Sequence, residues 1–326
     1  MAPVRVDRAE LLGGEIPLRP LSVSETLDAA LAVLRRSPRA VLGPAAAMVA
    51  VLQVLVTVTG YFFIGGSDEY TPNLLLRSVG EQFTLAGVGA VASALIVLAL
   101  AGLLAPAVAR SFFGQQVTFR GVWGDARPRL KGLAAVAATL GLGVPLLGAP
   151  ALAPFVAVAG TGGSTGVAVL LGVLGLPLAL AVAVWLYTRY VLAAPAVVLE
   201  RGGVTAAFTA SARLVGGQWW RTFLILLLTV VLTAFMGLIL RVPFLVGGLL
   251  FFGAEPQGWQ AVAMLAVDTL GQIASWTVVA PFDAAVIVLL YLDRRHRREG
   301  LDLELQQRDE VPDEDFLALW ARPRDL

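Results

Sequence analysis

Three residues in the last long apolar stretch of the chain could do chemistry: Asp268, Pro281 and Asp283. A carboxylate at membrane depth is costly, so it usually faces a bundle interior or water and often marks a functional site. Asp283 precedes Asp293 by 10 residues, or about 15 Å of helix, which places it near mid-membrane if Asp293 lies at the interface. Asp268 is expected nearer the outer interface.

Asp283 has two interpretations. It is a proton or cation site, next to backbone carbonyls that Pro281 leaves without a hydrogen-bond donor. Alternatively, it makes a structural contact with an Arg, Ser or Thr of a neighbouring span, or marks a kink beside a crevice. Four arginines near predicted span ends are expected to snorkel to the interface: Arg110, Arg189, Arg221 and Arg241.

The residues that catalysis usually needs are scarce. The chain has a single histidine, His296, and no cysteine, which excludes paired-histidine or thiolate metal sites and cysteine nucleophiles. No P-loop or nucleophile-elbow pattern is present. The sequence therefore predicts no catalytic residue, no metal site, no cofactor and no enzymatic activity.

Composition places the protein in a membrane. Apolar residues make up 58% of the 326 residues and charged residues only 14%, with a mean hydropathy of +0.80. A soluble protein of this length could not cover so much apolar surface with so few charges. The net charge of +1 gives no electrostatic basis for binding nucleic acid.

Six helical spans follow from the apolar runs, because a span needs about 20 apolar residues. A glycine-rich turn at 160–166 divides a 57-residue uncharged run into two spans. We predict a separate, partly interfacial helix at 259–271, before the sixth span. The runs are 41–64, 83–109, the two halves of 132–188, 223–240 and 272–292.

Basic residues give the orientation. Of the 24 Lys and Arg residues, 22 fall on the side that holds both termini, and only Arg77 and Arg241 fall on the other. The positive-inside rule then places both termini in the cytoplasm of a plasma-membrane protein. The chain divides into a segment at 1–20, a membrane domain at 21–293 and a cytoplasmic tail at 294–326.

The membrane domain resembles three parallel repeats of an amphipathic helix plus two spans, over about 21–110, 115–200 and 202–293. Each unit begins with Val and a hydroxyl residue suited to cap a helix, and its second span carries Ala-Pro. Basic amphipathic linkers in any six-span protein are the alternative explanation. The pairs are Val23-Ser24, Val117-Thr118 and Val204-Thr205, then Ala105-Pro106, Ala194-Pro195 and Ala280-Pro281. The Ser22 to Glu25 segment also fits a capping box.

Ten arginines are predicted to contact anionic lipid headgroups, because they lie close to the membrane entry points. They are Arg35, Arg36, Arg127, Arg129, Arg213, Arg221, Arg294, Arg295, Arg297 and Arg298. The tail ends in an apolar island around 316–320, which is expected either to fold back on the membrane domain or to bind a protein partner through 301–326.

Four segments carry a family resemblance: IPLRPLSVSETLDAA at 16–30, YVLAAPAVVLER at 190–201, SARLV with WWR at 211–221, and LLYLDRRHRREGLDL at 289–303. They resemble actinobacterial polytopic proteins of the glycerophosphoryl diester phosphodiesterase membrane-domain family. The resemblance covers most of 16–305. It implies the membrane part only, because the associated catalytic barrel uses paired histidines and acidic residues around a metal, and no stretch is left for such a barrel.

Two functions stay open. The first is a non-enzymatic scaffold or accessory subunit, which the missing catalytic residues and the organised cytoplasmic face favour. The second is a small-solute or lipid transporter, which Asp283 and the prolines of the third span favour. A water-filled cavity that reaches Asp283 would favour transport, and a dry packed core would favour the scaffold.

Overall fold

The protein is seen in a computed structural model that describes residues 4–5, 22–59, 79–112, 118–160, 164–200, 202–253, 256–299 and 310–311. These residues are helical except for short caps and turns and one short pair of strands, β1 (Val4–Arg5) and β2 (Glu310–Val311). The strands are antiparallel, with Val4 opposite Val311 and Arg5 opposite Glu310. The apolar island of the tail lies outside the described residues.

Six long helices are apolar enough to cross a membrane. They are α2 (Pro38–Thr59), α3 (Val79–Phe112), α5 (Leu130–Gly160), α6 (Thr165–Tyr190), α9 (Trp219–Phe252) and α10 (Trp259–Glu299). The shorter helices are α1 (Val23–Arg36), α4 (Phe119–Ala126, continued by a 3-10 turn at Arg127–Arg129), α7 (Ala193–Leu199) and α8 (Val204–Val215). The six predicted spans and the all-helical membrane class are confirmed.

The last span differs from the prediction. No separate interfacial helix lies at 259–271, because α10 runs without interruption from Trp259 to Glu299. Two features that suggested a break are accommodated inside it: the carboxylate of Asp268 is bound by Arg241 of α9, and Pro281 sits within the helix. The predicted division of the 132–188 run is confirmed, since α5 ends at Gly160 and α6 begins at Thr165.

Two helices form the centre of the bundle. Most residues of the apolar parts of α3 and α10 are buried, whereas α2, α5, α6 and α9 turn most of their residues outward. α10 packs along α9, α3 and α2, and its C-terminal part also contacts α1, α7 and α8. Because α10 has helices on several sides, polar groups along it can find partners on different neighbours.

The short helices begin at caps that were only partly predicted. Ser22 caps α1, and its side chain and that of Glu25 form the predicted capping box. Thr118 caps α4. The predicted caps at Ser24 and Thr205 are wrong, because both residues lie inside their helices: α1 is capped by Ser22, and α8 is preceded by Gly203 without a side-chain cap.

Along the chain, α1 and α4 are each followed by two long helices, and two short helices, α7 and α8, precede the last two long ones. This order accords with the three predicted units. The repeat itself and its parallel arrangement stay a prediction. The ends of α4 and α8 lie beside the starts of α5 and α9, and the last turn of α10 contacts the end of α8. We call this side of the bundle the basic end, since it carries Arg213 and the arginines at 294–298.

Candidate functional site

The intramembrane carboxylate of Asp283 lines a cavity of about 630 Å³. Its Oδ1 is buried and has no hydrogen-bond partner among the described residues. Thr233 of α9 lies within hydrogen-bonding reach of the carboxyl group, although its hydroxyl also donates to the Thr229 carbonyl at 2.9 Å. We call this space the Asp283 cavity.

The Asp283 cavity lies between four helices. α10 forms its floor from Gln272 to Ile287, a length of about 22 Å along the helix axis. The walls come from one face each of α3 and α9, and Tyr187 of α6 closes the region near Asp283. Most lining side chains are apolar, while the polar ones gather near Asp283 and at the opposite end, beside Arg241.

Regular spacing explains why these side chains meet. Residues three and four apart lie on one helix face, and α10 presents Gln272, Trp276, Val279, Asp283 and Ile287 in that rhythm. α9 presents a second series at the same spacing: Leu226, Thr229, Thr233, Gly237 and Arg241. Their polar members are Thr229, Thr233, Arg241, Gln272 and Asp283, which we call the polar seam along the α9–α10 contact.

Pro281 lies two residues before Asp283 and is buried. It does not line the Asp283 cavity. Its ring nitrogen cannot donate to the carbonyl of Thr277, so one helical hydrogen bond of α10 is missing there. The structure therefore places Pro281 beside the site and does not make it a contact residue.

Asp268 lies at the far end of the cavity, away from the basic end. Its Oδ1 accepts hydrogen bonds from Arg241 Nη2 at 2.6 Å and from Arg241 Nε at 3.0 Å. Its Oδ2 accepts one from Gln272 Nε2 at 3.0 Å, and Gln272 Oε1 accepts one from Gln53 Nε2 of α2 at 2.6 Å. A chain of four polar side chains thus ties α2, α10 and α9 together.

This chain corrects two expectations. Asp268 is not on a separate interfacial helix, because it is an internal residue of α10 held by two partners. Arg241 does not simply snorkel, because its guanidinium binds that carboxylate. Arg110 is likewise buried and binds Asp125 at 2.9 Å, which fastens the end of α3 to α4.

The predicted headgroup arginines divide into two groups. Arg35, Arg36, Arg127, Arg213 and Arg298 are exposed, and Arg129, Arg221 and Arg297 are partly exposed. Arg294 and Arg295 are only 1% and 0% exposed, so the prediction that they contact headgroups directly is wrong. The helices packed around the end of α10 enclose them.

The enclosed arginines have different surroundings. Arg294 Nη2 donates to Thr222 Oγ1 at 3.0 Å, while its Nε and Nη1 have no partner among the described residues. Arg295 Nη1 lies 3.5 Å from Tyr291 Oη, which donates to Glu200 Oε1 at 2.7 Å. Arg297 is paired with Asp293.

The basic end is also tied to the linker helices. Arg298 donates to the carbonyl oxygens of Arg213 and Gly216, which close the end of α8. Together with the pairing of Tyr291 and Glu200, this contact fixes the C-terminal part of α10 against the α7–α8 region. Arginines at this end therefore also hold α10 against its neighbouring helices.

Sequence reasoning found Asp283 but missed its companions. The predicted apolar spans contain four further lining residues that were not singled out, and nothing in their local sequence indicates that they share one cavity. They are Tyr187, Thr229, Thr233 and Ser275. The four-residue step from Thr229 to Thr233 on α9 was the available signal, because it places two hydroxyl groups on one face. In the described part of the chain, no three His, Cys, Asp or Glu side chains converge as metal ligands.

The comparisons with known proteins agree with this architecture. Residues 168–311 match the family model for the membrane domain of glycerophosphoryl diester phosphodiesterase, which confirms the predicted resemblance over that part. The match begins within α6 and includes α9, α10 and Asp283, while the α3 wall of the cavity lies outside it. Neither a curated protein nor a solved structure matches the chain.

Proposed function

We propose that this multi-pass membrane protein binds a small solute or a lipid in the Asp283 cavity and carries it across the bilayer. The observation that carries the proposal is the cavity itself, which extends along α10 to a carboxylate oxygen for which the described residues supply no partner. Its volume of about 630 Å³ falls in the range of about 300–1,000 Å³ that small-molecule sites occupy. A scaffold or accessory subunit would need no such space.

The polar seam supplies a route along the α9–α10 contact. Its outer part is the group of Arg241, Asp268 and Gln272, and the Asp283 carboxylate lies deeper. Beyond Asp283, toward the basic end, α10 is packed, and Arg294 donates a hydrogen bond to Thr222 of α9. Polar groups inside a bundle line pathways more often than they face lipid.

We also propose that the basic end faces the cytoplasm of a plasma membrane. Of the 24 basic residues, 22 belong to that side of the topology, and the Lys and Arg bias of short loops sets the orientation of polytopic proteins. The exposed arginines of α1, α4 and α8 can then contact anionic headgroups.

The test asks whether water reaches the Asp283 cavity. The chain has no cysteine, so an introduced cysteine is its single thiol. In proteoliposomes, we expect the impermeant reagent MTSET to modify Ala234→Cys, which lines the cavity. Two controls should stay unmodified: Leu232→Cys, which is exposed on the opposite face of α9 from Ala234 and does not line the cavity, and Ala101→Cys, which is fully buried in α3.

Several outcomes would count against transport. An unreactive Ala234→Cys would indicate a dry interior. Equal reaction at Leu232→Cys would indicate that labelling does not report on the cavity. A stoichiometric protein that co-purifies with the full chain, and is lost when the chain is truncated after Gly300, would favour an accessory subunit instead.

A further inference from the structure

We propose that the Asp283 cavity selects amphipathic organic cations, an inference that rests on the proposed function because it names the substrate class of the same cavity. Asp283 and Arg241 are the two charged side chains among the described lining residues. Arg241 is already neutralised by Asp268 through two hydrogen bonds. The charge left to be balanced is therefore that of Asp283.

A cationic group satisfies Asp283 better than other ligands. A carboxylate oxygen buried without a partner is costly, and an opposite charge or a hydrogen-bond donor removes that cost. An anion would add repulsion to the cost, and a neutral apolar solute would leave the carboxylate unbalanced. An ammonium or phosphonium group seated beside Asp283 removes the imbalance.

Aromatic side chains support the same class. Tyr187 is close enough to Asp283 for the two groups to interact electrostatically, and Trp276 lies about two helical turns away on the same face of α10. Aromatic ring faces attract cations, and they do so most strongly where water is excluded. A cation that enters from the Trp276 side meets an aromatic ring before it reaches the carboxylate.

The walls explain why the cation should be amphipathic. Ala94 and Val97 of α3 face Leu226 and Val230 of α9 across the space. Val230 and Leu238 both line the cavity and are 58% and 55% exposed, so the apolar wall formed by α9 is open and not covered by other helices. An apolar body can therefore lie along the wall while the charged group reaches Asp283.

The first test compares a cationic and an anionic thiol reagent at Ala234→Cys, whose neighbour Thr233 lies against Asp283. We measure the rates of MTSET and MTSES, with and without Asp283→Asn, at alkaline pH so that protons compete weakly for the carboxylate. In the Asp283→Asn background we expect the MTSET rate to fall and the MTSES rate to rise by roughly tenfold or more each, so that their ratio falls by about two orders of magnitude, as expected for a unit charge about 10 Å away at an effective dielectric constant of about 20. Asp283→Glu should keep the ratio.

The second test uses two ions of nearly the same shape, tetraphenylphosphonium and tetraphenylborate. In proteoliposomes, we expect saturable tetraphenylphosphonium binding that weakens about tenfold in Asp283→Asn and is retained in Asp283→Glu. Tetraphenylborate should show no Asp283-dependent binding. Elution profiles and circular dichroism of each variant ensure that a loss of binding does not come from misfolding.

The outcomes separate the two proposals. If neither reagent modifies Ala234→Cys, the proposed transport route itself fails. If both reagents react and their ratio is unchanged by Asp283→Asn, the route stands and the cation class is overturned. Asp283-dependent binding of tetraphenylborate would likewise overturn the cation class while leaving a solute site in place.

Discussion

The Arg241–Asp268 pair leads to a stability prediction that can be worked from its geometry. Removing one partner of a fully buried ion pair costs about 3–5 kcal/mol, and an exposed pair contributes about 0–1 kcal/mol. The two side chains are 38% and 18% exposed, so the pair lies between these limits. We expect Asp268→Asn to lower the free energy of unfolding by about 2 kcal/mol. The asparagine keeps the shape and removes the charge.

The assay is a double-mutant cycle with Arg241→Gln. Unfolding in mixed micelles on addition of SDS can be followed by the fluorescence of the seven tryptophans. We expect the double variant to be more stable than the sum of the single effects predicts, with a coupling of about 1–2 kcal/mol. Asp28→Asn, on the exposed face of α1, is the control and should have little effect. Additive single effects would refute the claim that this pair stabilises the α9–α10 contact.

Two further predictions concern packing. Arg294→Met should raise the unfolding free energy by about 1–2 kcal/mol, because it removes a buried cation whose Nε and Nη1 have no partner among the described residues. A lower melting temperature of this variant would show that the charge of Arg294 is compensated in the folded protein. Gly175→Ala should destabilise by about 1–3 kcal/mol, because its new Cβ would lie 2.4 Å from the Ala151 carbonyl oxygen. Gly247→Ala, with nothing within 4 Å of its new Cβ, is the matched control, and equal melting temperatures for the two alanine variants would contradict the packing argument.

The number of spans could be read from the sequence because hydropathy is a local property. Each span is a long run of apolar residues, and the turn at 160–166 carries its own glycine signal. The length of α9 could not be read in the same way. Arg241 looked like the end of a span, yet α9 continues to Phe252, because the charge is satisfied by a residue 27 positions further along the chain.

The burial of Arg294 and Arg295 is a second feature that the local sequence did not predict. A run of arginines after an apolar span usually lies at the headgroups. Here the first two arginines are buried, Arg294 binds Thr222 of α9, and Arg295 lies beside Tyr291, which binds Glu200. Whether a charged residue is exposed depends on the neighbours that the fold brings to it, and no single segment encodes those neighbours.

The site itself combines a predictable residue with an unpredictable space. Asp283 could be singled out because a carboxylate within an apolar run is rare and costly. The cavity requires α3 and α9 to be separated above α10. It also requires small residues along its walls, such as Ala94 of α3 and Gly237 of α9. An isolated carboxylate in a packed core would be a structural liability. The same carboxylate beside an open, largely apolar space becomes a binding determinant, because a ligand can balance a charge that the described side chains leave unbalanced.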